Sequence, residues 1–441
     1  MAKAFGTAGV RGVFNRTQTP EQIYGLAETV AFVSGKGKYG VGWDGRKTSA
    51  LLARTVMSAI NAVGSDINLF GQVPTPVVAF GTRSRACLSG FSVTASHNPA
   101  EFSGVKIFNE NGMELPRSEE ERIERALGVN VMKASGRFGQ VVYDREVVED
   151  YMEAVVSRYQ GVRDPLKIAV DCANGPGGEV TPRLLKKLGH RVVAVNSQVS
   201  WRFPARPPEP TRENLSDFSR IVSGLDVDLA LAHDGDADRL VLVDRSGEVV
   251  PDSTLGVLAL RGLGMTGGTV VLSENSSNAV ADEAKRLGMH VVRSRIGKTF
   301  EVLEAEHGVF ASEPSKIVDP AWGYWEDGIV AAVLVSKIVS EDKGVLKRIA
   351  NEIPWKNKQI SMRVVVKMPL LVEGVRDLFG RMKISEERTL DGYKLVLDDG
   401  SWAMFRASGT EPKTRFYCES TDVQKLEVMV QLGIQCIESS L

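Results

Sequence analysis

Cysteine is scarce in this chain. The four present, Cys87, Cys172, Cys418 and Cys436, lie far apart and match no zinc or redox spacing. They read as buried thiols in a reducing compartment, not as a disulfide framework. Long apolar runs are also missing: nowhere do about 18 apolar residues follow one another, which excludes a spanning helix. The opening MAKAFGTAGVRG has no apolar stretch of the kind a secretory signal needs, so a cytoplasmic location is expected. Neither sign of charge dominates, with 54 Lys+Arg against 55 Asp+Glu and a net charge of −1. No basic field or basic run is available to hold nucleic acid, and the longest acidic cluster, Glu119 to Glu121, reads as a solvated helix start. What remains is 43% hydrophobic and 25% charged over 441 residues, enough for several ordinary cores. At roughly 150 residues per domain, that length suggests three or four domains.

One pattern occurs three times: an apolar strand, a polar turn, an amphipathic helix ending at Gly, and a second strand. The copies begin at YGVGW (39–43), KIAVDC (167–172) and TVVLS (269–273). Leu52, Val56, Ile60 and Val63 mark one helical face in the first copy, and Val180, Leu184 and Leu188 do so in the second. The helices stop at Gly64, Gly189 and Gly288, residues suited to the left-handed position past a helix end. Strand–helix–strand order implies parallel pairing with a right-handed crossover. The pattern therefore predicts three related α/β domains in tandem, and competes with one large α/β domain containing three crossovers. After residue 358 the apolar runs MRVVVKM, YKLVL, WAMFR and TRFYCE alternate with turns such as DDG (398–400), and a helix from about Val423 closes the chain. That describes a smaller α+β domain on an antiparallel sheet. The expected segments are 1–148, 149–248, 249–357 and 358–441.

Four stretches carry chemistry. FSVTASHNPAEFSGVKIF (91–108) places Ser96 and His97 after an apolar strand, where open α/β sheets present reactive groups. It has no G-x-S-x-G elbow, and its S-x-x-K at Ser103–Lys106 has no K-T-G companion, so the hydrolase and β-lactamase readings fail. DLALAHDGDADRLVLVDRSG (228–247) spaces Asp234, Asp236 and Asp238 by Gly235 and Ala237 between two apolar strands. Alternate residues of extended chain face one way, and an all-oxygen set suits a hard cation, Mg²⁺ or Ca²⁺. An EF-hand would need Gly and Glu where Arg239 and Arg245 stand. FRASGTEPKTRF (405–416) gathers Arg406, Ser408, Gly409, Thr410 and Arg415 around a loop between strands, a composition that suits either a phosphate cradle or a plain hairpin. Gly297-Lys298-Thr299 imitates a Walker loop, but Val292 occupies the position of its required first glycine.

With GTAGVRG (6–12), TASHNP (94–99), DGDADR (234–239), SEPS (312–315) and RASGTEP (406–412) in that order, the chain resembles the α-D-phosphohexomutase family over its whole length. The family includes phosphoglucomutase/phosphomannomutase and phosphoglucosamine mutase. The resemblance implies three related α/β domains and a smaller C-terminal domain around a central cleft. It implies isomerisation of hexose 6-phosphate and hexose 1-phosphate through a phosphoserine, with a hexose 1,6-bisphosphate as intermediate and activator. Carried over position by position, it makes Ser96 the phosphorylated serine. Asp234, Asp236 and Asp238 become ligands of Mg²⁺ together with an oxygen on Ser96. Arg239 and Arg11 become phosphoryl contacts, and Lys106 and His97 the proton carriers. Lys298, Glu313 and Ser315 would contact the sugar, and Arg406, Ser408, Gly409, Thr410 and Arg415 the phosphate that is not reacting. The chain departs from the family twice: Lys316 stands where Gly is customary after the sugar loop, and Ser103 where Asn is common. The expected partners are small hexose phosphates, with neither nucleic acid nor membrane. A phosphatase using the same serine and metal, or an inactive sugar-phosphate-binding protein, are the competing functions. The sequence separates neither glucose, mannose, glucosamine and N-acetylglucosamine phosphates nor a monomer from an oligomer.

Overall fold

The computed structural model describes residues 4–128, 137–380, 382–407 and 413–440. The chain forms two compact units, one of Met1–Gly264 with Ser315–Ala350 and one of Met265–Pro314 with Asn351–Leu441.

The first unit holds two sheets. A mixed six-stranded sheet runs in the order Val10–Val13, Phe102–Asn109, Ser89–Val93, Lys38–Trp43, Asp66–Gln72, Val141–Tyr143. A four-stranded sheet runs Leu240–Val243, Leu229–His233, Lys167–Asp171, Arg191–Val195. The first two repeats form as the pattern predicts. Helix Ser49–Ala62 connects the parallel strands Lys38–Trp43 and Asp66–Gln72, and helix Gly177–Lys187 connects Lys167–Asp171 and Arg191–Val195. Leu52, Val56 and Ile60 are fully buried, and so are Val180 and Leu184. Each such side chain contributes about 1.5–3 kcal/mol by leaving water. Helices Ser253–Gly262 and Gly328–Glu341 also belong to this unit; a Cβ on Gly262 would lie 2.0 Å from Ile338 Cδ1.

The second unit contains the third repeat, with strands Thr269–Ser273 and His290–Ser294 parallel around helix Asn278–Arg286, and Phe310–Glu313 parallel on the other side of Thr269–Ser273. Gly64, Gly189 and Gly288 close their helices at φ +83°, +95° and +72°, a region that disfavours a side chain, so the chain can turn back at once. The same unit carries an antiparallel sheet in the order Lys356–Met362, Thr414–Ser420, Trp402–Ala407, Tyr393–Leu397, Ile384–Arg388. Helices Met368–Phe379 and Val423–Ser439 contribute to a core with Phe379, Phe405, Phe416 and Ile437. The run MRVVVKM is not itself a strand: pairing ends at Met362 opposite Thr414, and Pro369 opens a helix that periodicity alone missed. No helix among the described residues is long and apolar enough to cross a membrane.

Candidate active site

Ser96 follows the buried strand Ser89–Val93 and sits at φ +49°. Its N–H donates to Thr94 Oγ1 (2.8 Å), and the Thr94 hydroxyl in turn donates to Asp44 Oδ2 (2.8 Å). Arg46, buried and paired with Asp44 at 3.0 Å, directs its guanidinium at this loop. It donates to the carbonyls of Ser96 (2.7 Å), Asn98 (2.6 Å) and Pro99 (2.6 Å). The serine loop thus hangs on one arginine fixed at the end of the neighbouring strand. The Ser96 hydroxyl donates to Asp234 Oδ2 at 2.8 Å and lies 3.3 Å from His97 Nδ1.

Asp234, Asp236 and Asp238 occupy the turn between Leu229–His233 and Leu240–Val243. They converge for a reason other than the extended spacing read from the sequence: the chain turns, with Ala237 at φ +61°. All three are buried, and one oxygen from each lies within 4.8 Å of the others. Thr75 Oγ1 donates to Asp236 Oδ2 at 2.8 Å, and Lys106 Nζ to Asp238 Oδ2. Oδ1 of Asp236 and Oδ1 of Asp238 are buried without a hydrogen-bond partner. Buried carboxylate oxygens are seldom left so, and an all-oxygen set of this size fits a hard divalent cation. Burial, then the charges of Asp238 and Asp236, push the Asp234 carboxyl well above the usual range. Burial would do the same at Asp238, but Lys106, Lys316 and Arg239 more than offset it and hold that carboxyl well below. The loop is anchored as the serine loop is: Arg206, paired with Asp171 at 2.8 Å, donates to the carbonyl of His233 at 2.6 Å.

The other expected catalytic residues gather at the same place. Lys106, fully buried in strand Phe102–Asn109, lies 3.4 Å from Glu114 and 3.6 Å from Asp236. Burial opposes its charge, but Asp236, Asp238 and Glu114 raise its pKa well above the ordinary value, so it is an ammonium. Arg239 donates from Nη2 to His97 Nδ1 (3.0 Å) and from its N–H to Asp234 Oδ1 (3.3 Å). Arg11 donates to Asn98 Oδ1 at 3.2 Å. Gly235 lies so close under the serine that a Cβ would come 2.6 Å from Ser96 O. Ser103 bonds Thr48 Oγ1 at 2.6 Å, the local contact of that departure from the family pattern.

The residues expected at sugar and distal phosphate divide between the units. Ser315, at φ +64°, donates to Asp252 Oδ1 at 3.1 Å in the first unit. In the second unit Glu313 Oε1 accepts from Gly297 N (2.7 Å) and Thr299 Oγ1 (3.2 Å), and Lys298 stands at the start of helix Thr299–Ala305. Arg406 and Arg415 face each other across paired strands, with Arg406 Nε donating to Asp391 Oδ1 at 2.9 Å. Ser408, Gly409 and Thr410 lie outside the described residues. Asp44, Arg46, Thr75, Asp171 and Arg206 lie outside the candidate residues named from the sequence. Asp44 and Asp171 had a signal, since both stand where the first strand of a repeat gives way to its turn. Arg206 and Thr75 come from remote segments and had none.

Comparison with known proteins covers the whole chain. Residues 2–130, 149–247 and 250–356 match the phosphoglucomutase/phosphomannomutase α/β/α domains I, II and III, and residues 362–431 match the C-terminal domain of that family. The phosphopentomutase of Thermococcus kodakarensis is 34% identical over 452 residues, covering 99% of this chain and 98% of that one. The probable phosphoglucosamine mutase of Methanosarcina acetivorans is 32% identical, with both chains covered completely. A phosphoglucomutase/phosphomannomutase family protein from Burkholderia thailandensis shares the fold, with a TM-score of 0.85 at 22% identity over 99% of this chain and 97% of that one.

Proposed function

The chain belongs to the phosphoglucomutase/phosphomannomutase family of α-D-phosphohexomutases, enzymes that act as intramolecular phosphotransferases, and from that premise we propose that it isomerises hexose 6-phosphate and hexose 1-phosphate through a phosphoserine at Ser96. The observation that supports this most is the Ser96 hydroxyl, held in a strained turn and donating to Asp234 beside two orphaned carboxylate oxygens.

Phosphoryl transfer needs alignment and charge neutralisation more than covalent help. Asp234, Asp236, Asp238 and an oxygen on Ser96 would hold Mg²⁺, which when bound neutralises charge on the phosphoryl oxygens. Arg46 fixes the Ser96 carbonyl and so the direction of the hydroxyl. Arg239 places a permanent positive charge beside His97 and keeps that ring turned by its bond to Nδ1. Lys106, held as an ammonium, would donate its proton to the oxygen that leaves, His97 would take the proton of the attacking sugar hydroxyl, and the two roles exchange in the return step. Arg406 and Arg415 would grip the phosphate that stays, through charge-assisted forks. A hexose 1,6-bisphosphate formed in the first half of the reaction would turn and return its other phosphate to Ser96, and supplied bisphosphate would act as activator. The substrate is a small sugar phosphate. A relative named for a pentose and another named for glucosamine both span the chain, so glucose, mannose, glucosamine and pentose phosphates all belong in the test.

The test is the Ser96→Ala variant together with a product assay. Incubation with glucose 1,6-bisphosphate should leave one phosphate on the Ser96 peptide of the wild type, read by mass. The variant should stay folded and lose isomerisation by at least a thousandfold or so, as expected for a nucleophile. Free phosphate in place of isomer would replace the mutase reading by hydrolysis, and full activity without Ser96 would end it.

A further inference from the structure

Lys316 takes no part in the scheme above, yet it is buried in the same place. Its ammonium lies on Glu326 Oε2 and 3.6 Å from Asp238 Oδ2. Lys106 donates to that same Asp238 oxygen, so two ammonium groups flank it while Oδ1 of the residue has no hydrogen bond. Glu326 is set in place by its neighbour. The Asp327 carboxylate accepts from Tyr151 Oη (2.8 Å), Trp322 Nε1 (2.9 Å) and Val330 N (2.9 Å) at the start of helix Gly328–Glu341.

We propose that Lys316 is a positioning residue that sets the cation affinity of the aspartate triad. Lys106 holds Asp238 Oδ2 by a hydrogen bond and leaves Oδ1 for the ion, while the charge of Lys316, 3.6 Å from Oδ2, keeps the hold on that ion weak. Glu326 regulates this by drawing part of the ammonium's field away from Asp238. The inference rests on the triad being the cation site, as proposed above. It carries an unusual signature, because the two members of one ion pair should act in opposite directions. Without either charge, Asp238 loses a neighbouring cation and binds metal more tightly. Without Glu326 alone, the whole ammonium acts on Asp238 and metal is bound more weakly. A pair that only packed the turn would shift both variants toward weaker binding.

The experiment is a titration of the dephosphorylated full-length protein with Mn²⁺ alone, followed by the electron paramagnetic resonance of the free ion, with thermal unfolding as a check on folding. Lys316→Met/Glu326→Gln removes both charges together, which avoids stranding one of them. It should bind Mn²⁺ roughly three- to tenfold more tightly, and Glu326→Gln more weakly by a similar factor. Shifts of the same sign, or none, overturn the proposal. If the double variant does not fold, Glu326→Gln decides alone, since tighter or unchanged binding there overturns it. A wild-type site that survives Asp236→Asn would remove the triad reading and this inference with it. A site that is lost in Asp236→Asn yet indifferent to Lys316 and Glu326 would remove only this inference.

Discussion

Ser96 at φ +49° occupies a region that few residues other than glycine visit, at a cost of about 1–3 kcal/mol. Arg46 offsets that cost by donating to three carbonyls of the loop, so one buried side chain holds the strained turn that carries the Ser96 hydroxyl. His233 does comparable work beside the aspartates. Its Nδ1–H donates to Arg239 O at 2.9 Å and its Nε2 accepts from Thr181 Oγ1 at 3.0 Å, so the neutral ring braces both ends of the turn. Burial lowers its pKa from 6.5 to about 4. Between those values the unfolded chain binds a proton that the folded chain refuses, so this contribution is intact above pH 6.5 and declines as pH falls toward 4. By pH 5 the loss comes to about 2 kcal/mol. Denaturant unfolding at pH 7 and pH 5 measures it. His233→Gln keeps a donor and an acceptor without a titrating ring, and should flatten the difference by about that amount. An unchanged slope would mean that the folded protein protonates His233.

At the scale of elements, the aspartate turn is shaped from below by a helix. Gly328 opens helix Gly328–Glu341, and a Cβ there would lie 2.4 Å from Arg239 O and 2.8 Å from Ala237 O. Glycine to alanine in a helix ordinarily gains about 0.5–1 kcal/mol. Here the methyl would push the turn off its position, so Gly328→Ala should lose stability and at least about tenfold in turnover, while circular dichroism shows the fold retained. Wild-type turnover would show that the turn moves freely. Sequence patterning made the acidic turn visible, because three carboxylates in five residues stand out against apolar strands. It gave the wrong cause for their convergence, since alternation assumes extended chain and says nothing of Ala237 at φ +61°. Gly328 and Asp327 were invisible for a different reason. Their role depends on helix Gly328–Glu341 reaching a turn some ninety residues earlier, and no local pattern records that. The MRVVVKM run misled because three valines favour a strand wherever a partner exists, and pairing had already ended at Met362.

Over the whole molecule, the repeats were legible because each rests on local rules: an apolar strand, a helical stripe and a glycine at the helix end. The division into units was not, because 250–264 and 315–350 join the first unit through packing between distant helices. That division puts Ser96 and the aspartates in one unit and Arg406 with Arg415 in the other, which makes the two halves of the proposed chemistry separable by mutation. Arg406 is directed by Asp391 at 2.9 Å and stands opposite Arg415 in register, so two guanidinium groups lie at one level of the sheet. If they hold the distal phosphate, a charge-assisted fork is worth about 1.5–3 kcal/mol. Arg406→Ala should then weaken productive binding roughly ten- to a hundredfold. Forward and reverse reactions should suffer alike, because the same grip serves both orientations of the bisphosphate. The bisphosphate should also escape more often, so adding it to the assay should restore part of the rate. Phosphoserine should still form at Ser96 when bisphosphate is abundant, since that step draws on residues of the other unit. The measurement is initial rates in both directions with and without added glucose 1,6-bisphosphate, alongside the mass of the Ser96 peptide. Rates equal to wild type in both directions would make Arg406 and Arg415 an ordinary strand pair and move the distal phosphate elsewhere.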